Sequence, residues 1–232
     1  MGGADGIAKG YSSGRGAAAA PEDGTGEGFG MVTRGFTGRR PDKPVAERLP
    51  PGQYLTDDFP MLQLGPTPRI DLARWRFVLR QGAKPLKSWS WQEFDALPRT
   101  RWTGDIHCVT KWSKFDTAWE GVSVDDLLAA AGLEAAPTAY LLAEGFDDYT
   151  TNVPVADLTG SRGMVATRYA GETIPPDHGG PARLLVPHLY FWKSAKWVKG
   201  LRFTEKDEAG FWELRGYHMY GDPWREQRFS DD

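Results

Sequence analysis

The side chain with the clearest chemical potential is the single cysteine, Cys108, in the segment GDIHCVTKWS at residues 104–113. Polar and basic residues surround it in the sequence: His107, Thr110, Lys111 and Lys114. Cationic surroundings favour the thiolate, which binds soft metals or attacks electrophiles. A lone cysteine is nevertheless more often a buried, inert small side chain, and composition alone favours that interpretation.

A cysteine–histidine nucleophile pair is one interpretation of this segment. If residues 105–109 are extended, however, His107 and Cys108 point to opposite faces and cannot form a hydrogen bond with each other. A pair would then need His178, His188 or His218 from a distant part of the chain. The segment also has no zinc-ligand spacing. What remains is a soft metal held by one thiolate, with its other ligands supplied by something other than protein.

A second candidate site lies in the stretch from His178 to Thr204, which has no acidic residue. Its five positive charges are Arg183, Lys193, Lys196, Lys199 and Arg202. Within it, the Gly-Gly-Pro of HGGPAR lets a ligand approach the backbone closely. Arg183 can hold a phosphate with two donors, and Lys196 can add a point charge. An anion site and a solvated basic strand edge both remain open.

The elements around these residues predict a mixed α+β domain. Residues 74–82 alternate apolar and basic side chains, as in a half-buried strand. Residues 90–98 begin with a Ser-x-x-Glu capping box, and residues 123–132 have Ser123 as N-cap and Gly132 as C-cap, so both predict short helices. Four further segments predict strands: TAYLLAEG, MVATRYAG, RLLVPHLY and KWVKGLRF. Short helices scattered among many strands indicate α+β rather than a doubly wound fold.

Composition divides the chain at about residue 48. Residues 1–47 are rich in Gly and Ala and predict a disordered tail, whereas residues 48–232 have the composition of a folded domain. Arg39-Arg40 is not followed by an apolar segment, so an export signal is rejected and a cytoplasmic location is predicted. The net charge of −3 argues against nucleic-acid binding. The sequence has no apolar run of about 18 residues, so no membrane span is predicted.

Several motifs in one order carry a resemblance to a known family. DIHCVTKWS, EGVSVDDLL, DDYTTNVP, HGGPARLLVP and WKSAKWV follow a strand and a short helix. This order resembles the molybdopterin-binding domain of the sulfite oxidase family, and in particular its compact single-domain bacterial members. The resemblance extends from about Leu49 to Phe229. It implies an α+β fold with a mixed-sheet, barrel-like core and a molybdenum–molybdopterin cofactor.

The resemblance also implies roles for individual residues. Cys108 matches the cysteine whose thiolate binds molybdenum, the remaining sulfur ligands coming from the pterin. The matching pterin-contacting positions are His178, Arg183, Ser194, Ala195 and Lys196, and the early TDDF loop adds Thr56 and Asp57. Glu144 is expected to lie near the cofactor. The implied function is two-electron oxygen-atom transfer on a small substrate, either sulfite-like oxidation or reduction of an S-oxide or N-oxide.

Three departures from the family's pattern bear on partners and substrate. The arginine that follows the metal cysteine in sulfite oxidases is replaced by Val-Thr-Lys-Trp, and only Lys111 offers a cation there. No C-terminal dimerisation domain is recognisable, which predicts a monomer. No C-x-x-C-H haem motif is present, which predicts an external electron donor or acceptor. Two other functions remain open: a non-catalytic pterin- or anion-binding module, and a metal-free cysteine-nucleophile enzyme.

Overall fold

A computed structural model describes residues 43–63 and 65–232. The described chain begins with a short helix, α1 (Lys43–Ala46), which falls inside the tail predicted for residues 1–47. Residues 1–42 lie outside the described residues, so disorder there stays a prediction. None of the helices in residues 43–63 and 65–232 is long and apolar enough to cross a membrane.

Strands dominate the described chain and are joined by short helices. In chain order the strands are β1 (Tyr54–Leu55), β2 (Arg76–Gln81), β3 (Lys84–Ser90), β4 (Thr100–His107), β5 (Trp112–Ser123), β6 (Tyr140–Gly145), β7 (Thr150–Pro154), β8 (Met164–Tyr169), β9 (Glu172–Thr173), β10 (Arg183–Leu185) and β11 (Val198–Thr204). The other α-helices are α2 (Trp91–Asp95) and α3 (Val124–Ala130). Short 3₁₀ turns, among them Pro176–His178 and Phe191–Lys193, occupy the connections.

The strands form two sheets. One has the order β1-β5-β8-β10, with β4 also paired to β5 and β9 to β8. The other has the order β3-β2-β11-β6-β7 and contains one parallel pair, β2 with β11. A large core cluster joins side chains from strands of both sheets with those of α2 and α3, including Phe77, Phe94, Leu127, Leu184 and Leu201. The mixed α+β fold is confirmed, and its sheets are open rather than closed into a barrel.

The capping signals in the sequence predict the helix starts correctly. In α2 the Ser90 hydroxyl accepts from the Glu93 backbone N–H, while the Glu93 carboxylate accepts from the Ser90 N–H. In α3 the Ser123 hydroxyl accepts from the Asp126 N–H. The predicted strand at 183–190 is shorter than expected and ends at Leu185. Pro187, which has no N–H to donate to a sheet, follows two residues later.

The longest sheet feature, the β4–β5 hairpin, was not predicted as such. The turn lacks the Asn-Gly or Asp-Gly pair that identifies a hairpin in a sequence. Its left-handed position is occupied instead by Lys111, at a φ of 75°. Its strands also carry charged residues that interrupt a clean alternation. This hairpin presents the only cysteine at its end.

Candidate functional site

The turn of the β4–β5 hairpin fixes the backbone of Cys108. The Cys108 N–H donates to the Trp112 carbonyl at 2.8 Å, and the Lys111 N–H donates to the Cys108 carbonyl at 3.0 Å. The side chain of Gln53 donates to the same Cys108 carbonyl at 3.0 Å. The thiol is therefore carried on a turn that is closed by its own hydrogen bonds and tied to a neighbouring segment.

The Cys108 thiol lies in an apolar cluster with Ile106, Trp112 and Phe191. Only 7% of the residue is exposed, and the Thr110 hydroxyl donates to Sγ at 3.2 Å. Burial raises the pKa of the thiol, and hydrogen bonds from Thr110 oppose this only in part. Without a bound cation the group is a neutral thiol at pH 7. A metal ion would displace the proton, because a coordinating thiol is deprotonated.

The structure does not form the cysteine–histidine pair. His107 lies on the other side of the strand, where its Nδ1 is 2.8 Å from the Ser113 hydroxyl, and burial lowers its pKa to about 4. The remaining histidines have other partners. His178 stacks on Phe59, the His188 Nε2 contacts an aspartate, and the His218 Nδ1 accepts from backbone N–H groups. No described residue thus acts as a base hydrogen-bonded to the thiol.

Arg183 connects the two loops predicted to form the anion site. Its Nη1 donates to the His178 carbonyl at 2.7 Å and its Nη2 to the Ser194 carbonyl at 2.8 Å. The guanidinium also lies 4.1 Å from the centre of the Phe191 ring. One side chain therefore holds the HGGPAR and KSAK segments together beneath the Cys108 cluster.

The charge of Arg183 has no carboxylate partner within the described residues. The side chain is 1% exposed, its Nε has no hydrogen-bond partner, and burial lowers its pKa to about 9. A buried cation without a counter-ion is costly, and the cost falls when an anion binds nearby. The arrangement fits an anionic group between the two loops, with the Cys108 thiol close enough that each charge shifts the other's pKa.

The segment 194–196 is held mainly by backbone contacts. The Ser194 hydroxyl accepts from the Val186 N–H at 2.9 Å, and the Ala195 carbonyl accepts from the Leu184 N–H at 2.8 Å. The Lys196 Nζ donates to the Asp177 carbonyl at 2.7 Å. A Cβ added at Gly179 would come within 3.0 Å of the Lys196 side chain, so glycine allows this close approach.

The early loop predicted to contact the cofactor lies beside the hairpin. β1 pairs in parallel with the start of β5, and the Thr56 N–H donates to the Ser113 carbonyl at 2.9 Å. Asp57 is exposed, and its carbonyl accepts a hydrogen bond from the Lys114 ammonium. Thr56 and Asp57 are therefore brought to the same end of the sheet as Cys108, although the structure gives neither side chain a contact with the thiol.

Three of the five cations in the basic stretch do not belong to an anion site. Lys199 pairs with Asp148, and Arg202 pairs with Glu144 and Glu208. Lys193 is fully buried, and its ammonium contacts the Glu213 carboxylate at 2.6 Å. The Glu144 carboxylate, which was expected near the cofactor, forms ion pairs with Arg202 and Arg80. Only Arg183 and Lys196 remain without a carboxylate partner in the described part of the stretch.

The buried Lys193–Glu213 pair should be important for stability. Lys193→Met leaves the Glu213 carboxylate buried and uncompensated, so we expect the free energy of unfolding to fall by about 3 to 5 kcal/mol. The double variant Lys193→Met/Glu213→Gln removes both charges and should recover most of the loss. Urea denaturation followed by tryptophan fluorescence measures the effect. Equal destabilisation of the single and double variants would contradict this assignment.

Two aromatic residues near the thiol were not singled out from the sequence. Phe59 packs against His178 at 4.3 Å and against Phe191 at 5.9 Å. Tyr217 has its pKa raised by burial and, secondarily, by the negative charge that Cys108 can carry, so its hydroxyl stays protonated at neutral pH. No local pattern could have identified these residues, because tertiary packing brings them to Cys108 from distant segments.

Comparison with known proteins identifies the family of this chain. Residues 64–212 match the family described as "Oxidoreductase molybdopterin binding domain". The chain belongs to this family. It is 38% identical over 198 residues to the oxidoreductase YuiH of Bacillus subtilis, covering 85% of the chain and 100% of that protein. It is also 25% identical over 181 residues to a putative protein-methionine-sulfoxide reductase subunit, YedZ1, of Azospira oryzae, covering 78% of the chain and 66% of that protein.

More distant relatives extend the comparison. Human mitochondrial sulfite oxidase is 29% identical over 108 residues, which is 43% of this chain and 20% of that enzyme. The crystal structure of the sulfane dehydrogenase SoxCD from Paracoccus pantotrophus superposes with a TM-score of 0.52 at 20% identity, covering 77% of this chain and 56% of that chain. The latter supports the fold. Membership of the family makes this chain an oxidoreductase that binds a molybdopterin cofactor.

Proposed function

We propose that this chain is a molybdenum–molybdopterin enzyme that catalyses two-electron oxygen-atom transfer on a small substrate and exchanges electrons with an external partner. The observation that carries the proposal is the fully buried Arg183 guanidinium, which has no described carboxylate partner and is electrostatically coupled to the Cys108 thiol. A bound anionic pterin would supply the missing negative charge. Family membership supports the same cofactor class.

Each predicted site residue has a part in this proposal. Cys108 would supply the one protein thiolate to the metal. In residues 43–63 and 65–232 no group of three or more His, Cys, Asp or Glu side chains could hold a metal ion, which is consistent with ligands supplied mainly by a pterin. When bound, the cofactor supplies the two-electron redox chemistry. The Cys108 sulfur lies in a largely buried residue and accepts a hydrogen bond from the Thr110 hydroxyl.

The pterin would be held by the two loops that Arg183 connects. Arg183 supplies charge and fixes the backbone of His178 and Ser194, while Lys196 adds a second cation. Ala195 contributes its closely packed backbone, since it has no polar side chain. Thr56 and Asp57 would contact the cofactor from the early loop. Lys111, exposed on the turn after Cys108, is the cation that could meet a substrate anion.

The direct test is metal and pterin analysis of protein made in a host that synthesises the cofactor. We expect about one molybdenum and one pterin per chain, together with reduction or oxidation of the metal by a small substrate. Sulfite as donor and dimethyl sulfoxide or trimethylamine N-oxide as acceptor distinguish the two directions. Protein that holds no molybdenum would overturn the proposal.

The two other functions give different results in the same experiment. A non-catalytic pterin-binding module would retain the cofactor, but no dye or substrate would change the metal's oxidation state. A cysteine-nucleophile enzyme would be active without metal. The raised pKa of Cys108 and the lack of a hydrogen-bonded base within the described residues argue against the second. Monomeric state, absence of nucleic-acid binding and a cytoplasmic location stay predictions.

Cofactor retention should depend on pH through Lys196. Burial lowers the pKa of Lys196 to about 8, below its ordinary value of 10.5. Its charged fraction should therefore fall about fourfold between pH 7 and pH 8.5. Because the folded-state pKa is depressed, the cofactor-free protein becomes more stable as pH rises through about 8, whereas binding of an anionic cofactor becomes weaker.

The measurement is the amount of pterin retained after gel filtration at pH 7 and at pH 8.5. Lys196→Arg should largely remove the pH dependence, because arginine remains charged over this range. The control is Lys199→Arg, three residues further along the chain, where the lysine pairs with Asp148. This variant should leave the pH dependence of pterin retention unchanged. The same loss of pterin from wild type and Lys196→Arg would show that another group controls retention.

A further inference from the structure

A second concavity lies on the opposite side of β4 from the Cys108 thiol. Its volume is about 510 Å³, which is within the range of about 300 to 1,000 Å³ that is typical of small-molecule sites. The side chains that matter for its chemistry are Arg48, Trp102, Asp105, His107, Arg162 and Trp224. None of the residues predicted to bind the pterin lines it.

The alternation of side chains along β4 separates the two sites. The register between β4 and β5 shifts between Gly104 and Ile106. The extra residue at this shift lies on β5, so side chains alternate along β4 without interruption. Ile106 and Cys108 face the apolar cluster that holds the thiol, while Asp105 and His107 face the concavity. Because His107 and Cys108 are joined by one peptide bond, the two sites share a wall that is one strand thick.

The walls of the concavity are aromatic. Trp102 lines the concavity and also packs against the apolar cluster that holds the thiol. Its indole lies over Gly104, where an added Cβ would come within 2.6 Å of the ring. Trp224 is 50% exposed although its backbone N–H is fixed by the Asp222 carboxylate at 2.8 Å, and its ring meets His107 at 6.3 Å. A half-exposed tryptophan on a capped turn is suited to stacking on a planar ligand.

Hydrogen-bond donors lie at another side of the concavity. Arg162 and His188 both contact the Asp157 Oδ1, at 3.1 Å and 3.0 Å, which orients them. The Arg162 side chain remains 52% exposed, so part of its guanidinium is free to donate to a ligand. Arg48 is paired with Asp105 through two hydrogen bonds and with Asp116 through a third, and Glu47 also lines the concavity, so this side carries net negative charge. The Arg162 side of the lining therefore suits the oxygen acceptors of a ring system, whereas the Arg48 side does not.

We propose that this concavity binds a planar aromatic two-electron carrier with ring carbonyls, of the quinone or flavin class, and that electrons enter or leave the protein there. The proposal rests on the proposed molybdenum function. A substrate must reach the metal on the thiol side of β4, whereas a carrier needs only to lie close to it. A carrier stacked on Trp224 would lie beside His107, one residue from the metal-binding sulfur.

The electron balance requires no further co-reactant. Oxidation of a sulfur substrate with water transfers one oxygen atom and releases two electrons and two protons. A quinone that takes up two electrons and two protons becomes a hydroquinone, and an oxidised flavin becomes the dihydroflavin in the same way. In the opposite direction the reduced carrier supplies the two electrons and two protons that convert an S-oxide to a sulfide and water.

Calorimetric titration of the purified full chain with menadione and with FMN tests the site. We expect saturable binding of at least one carrier, and the preferred one identifies its class. Trp224→Ala and Arg162→Ala should each weaken binding about tenfold, a change typical of removing one stacking or hydrogen-bonding anchor. The matched controls Leu214→Ala and Arg101→Ala, both exposed and outside the lining, should bind as wild type does.

The outcome can be separated from that of the molybdenum assignment. Cys108→Ser should lose metal yet bind the carrier as wild type does. Wild-type protein that binds the carrier but holds no molybdenum would count against the metal assignment alone. In the loaded enzyme Trp224→Ala should raise KM for the carrier and leave KM for the sulfur substrate unchanged. Absence of saturable binding in wild type, or unchanged binding in both Trp224→Ala and Arg162→Ala, would overturn the proposal.

Discussion

Cys108→Ser is expected to remove molybdenum-dependent activity while leaving the fold intact. Serine is nearly isosteric with cysteine, and the backbone hydrogen bonds of the turn do not involve the side chain. The hydroxyl is a poor ligand for a soft metal, so the metal loses its one protein thiolate. We expect turnover to fall at least about a thousandfold, equivalent to about 4 kcal/mol in the barrier.

Three measurements on Cys108→Ser identify the cause of the loss. Molybdenum by mass spectrometry should fall, while some pterin can remain because Arg183 and the two loops are unchanged. Urea denaturation of the cofactor-free proteins should give similar free energies of unfolding. Thr110→Val is the matched control, since it removes the hydrogen bond to Sγ but keeps the thiol. Equal molybdenum content in wild type and Cys108→Ser would refute the assignment of the metal ligand.

Changes at Arg183 should separate its charge from its geometry. Arg183→Met removes both, and Arg183→Lys keeps the charge but cannot reach the two carbonyls of His178 and Ser194 together. We expect pterin content to fall at least about tenfold in Arg183→Met, equivalent to about 1.4 kcal/mol or more of binding. Arg183→Lys should retain more pterin than Arg183→Met, yet less than wild type.

Stability measurements strengthen the test of Arg183. In the cofactor-free protein the guanidinium is an uncompensated buried cation, so the gain from removing it partly offsets the loss of its two hydrogen bonds. Cofactor binding should therefore raise the melting temperature of wild type much more than that of Arg183→Met. Arg101→Met serves as a control at an exposed arginine. Equal cofactor stabilisation of wild type and Arg183→Met would show that Arg183 does not serve the anion.

Local sequence was sufficient for features that depend on neighbouring residues. The helix starts at Ser90 and Ser123 followed from side chains three residues away, and the capping contacts are present in the structure. Strand patterns located β2, β6, β8 and β11. The position of His107 on the opposite side from Cys108 followed from strand alternation. The ordered motifs indicated the family, and the match over residues 64–212 confirms it.

Tertiary structure decided which charges belong to the site. In the sequence Arg183 and Lys196 stand out as candidates for the anion site, but nothing there excludes the other three cations between residues 183 and 202. A charge is assigned by its partners, and those partners lie far away along the chain. Lys193 forms an ion pair with Glu213, and Arg202 forms ion pairs with Glu144 and Glu208. Arg183 is buried without a carboxylate among the described residues, and it is this desolvation that makes it a candidate for an anion.

For the lone cysteine, too, the sequence and the tertiary structure decided different things. Its sequence neighbours allowed an inert thiol, a nucleophile or a metal ligand, because a thiol's chemistry depends on solvent exposure and nearby charge. The fold buries Cys108, raises its pKa, and places His107 behind the strand. The sequence determined that one cysteine stands among the family's motifs. Only the packing of the β4–β5 hairpin against the Arg183 loops decided that this thiol lies beside a buried cation.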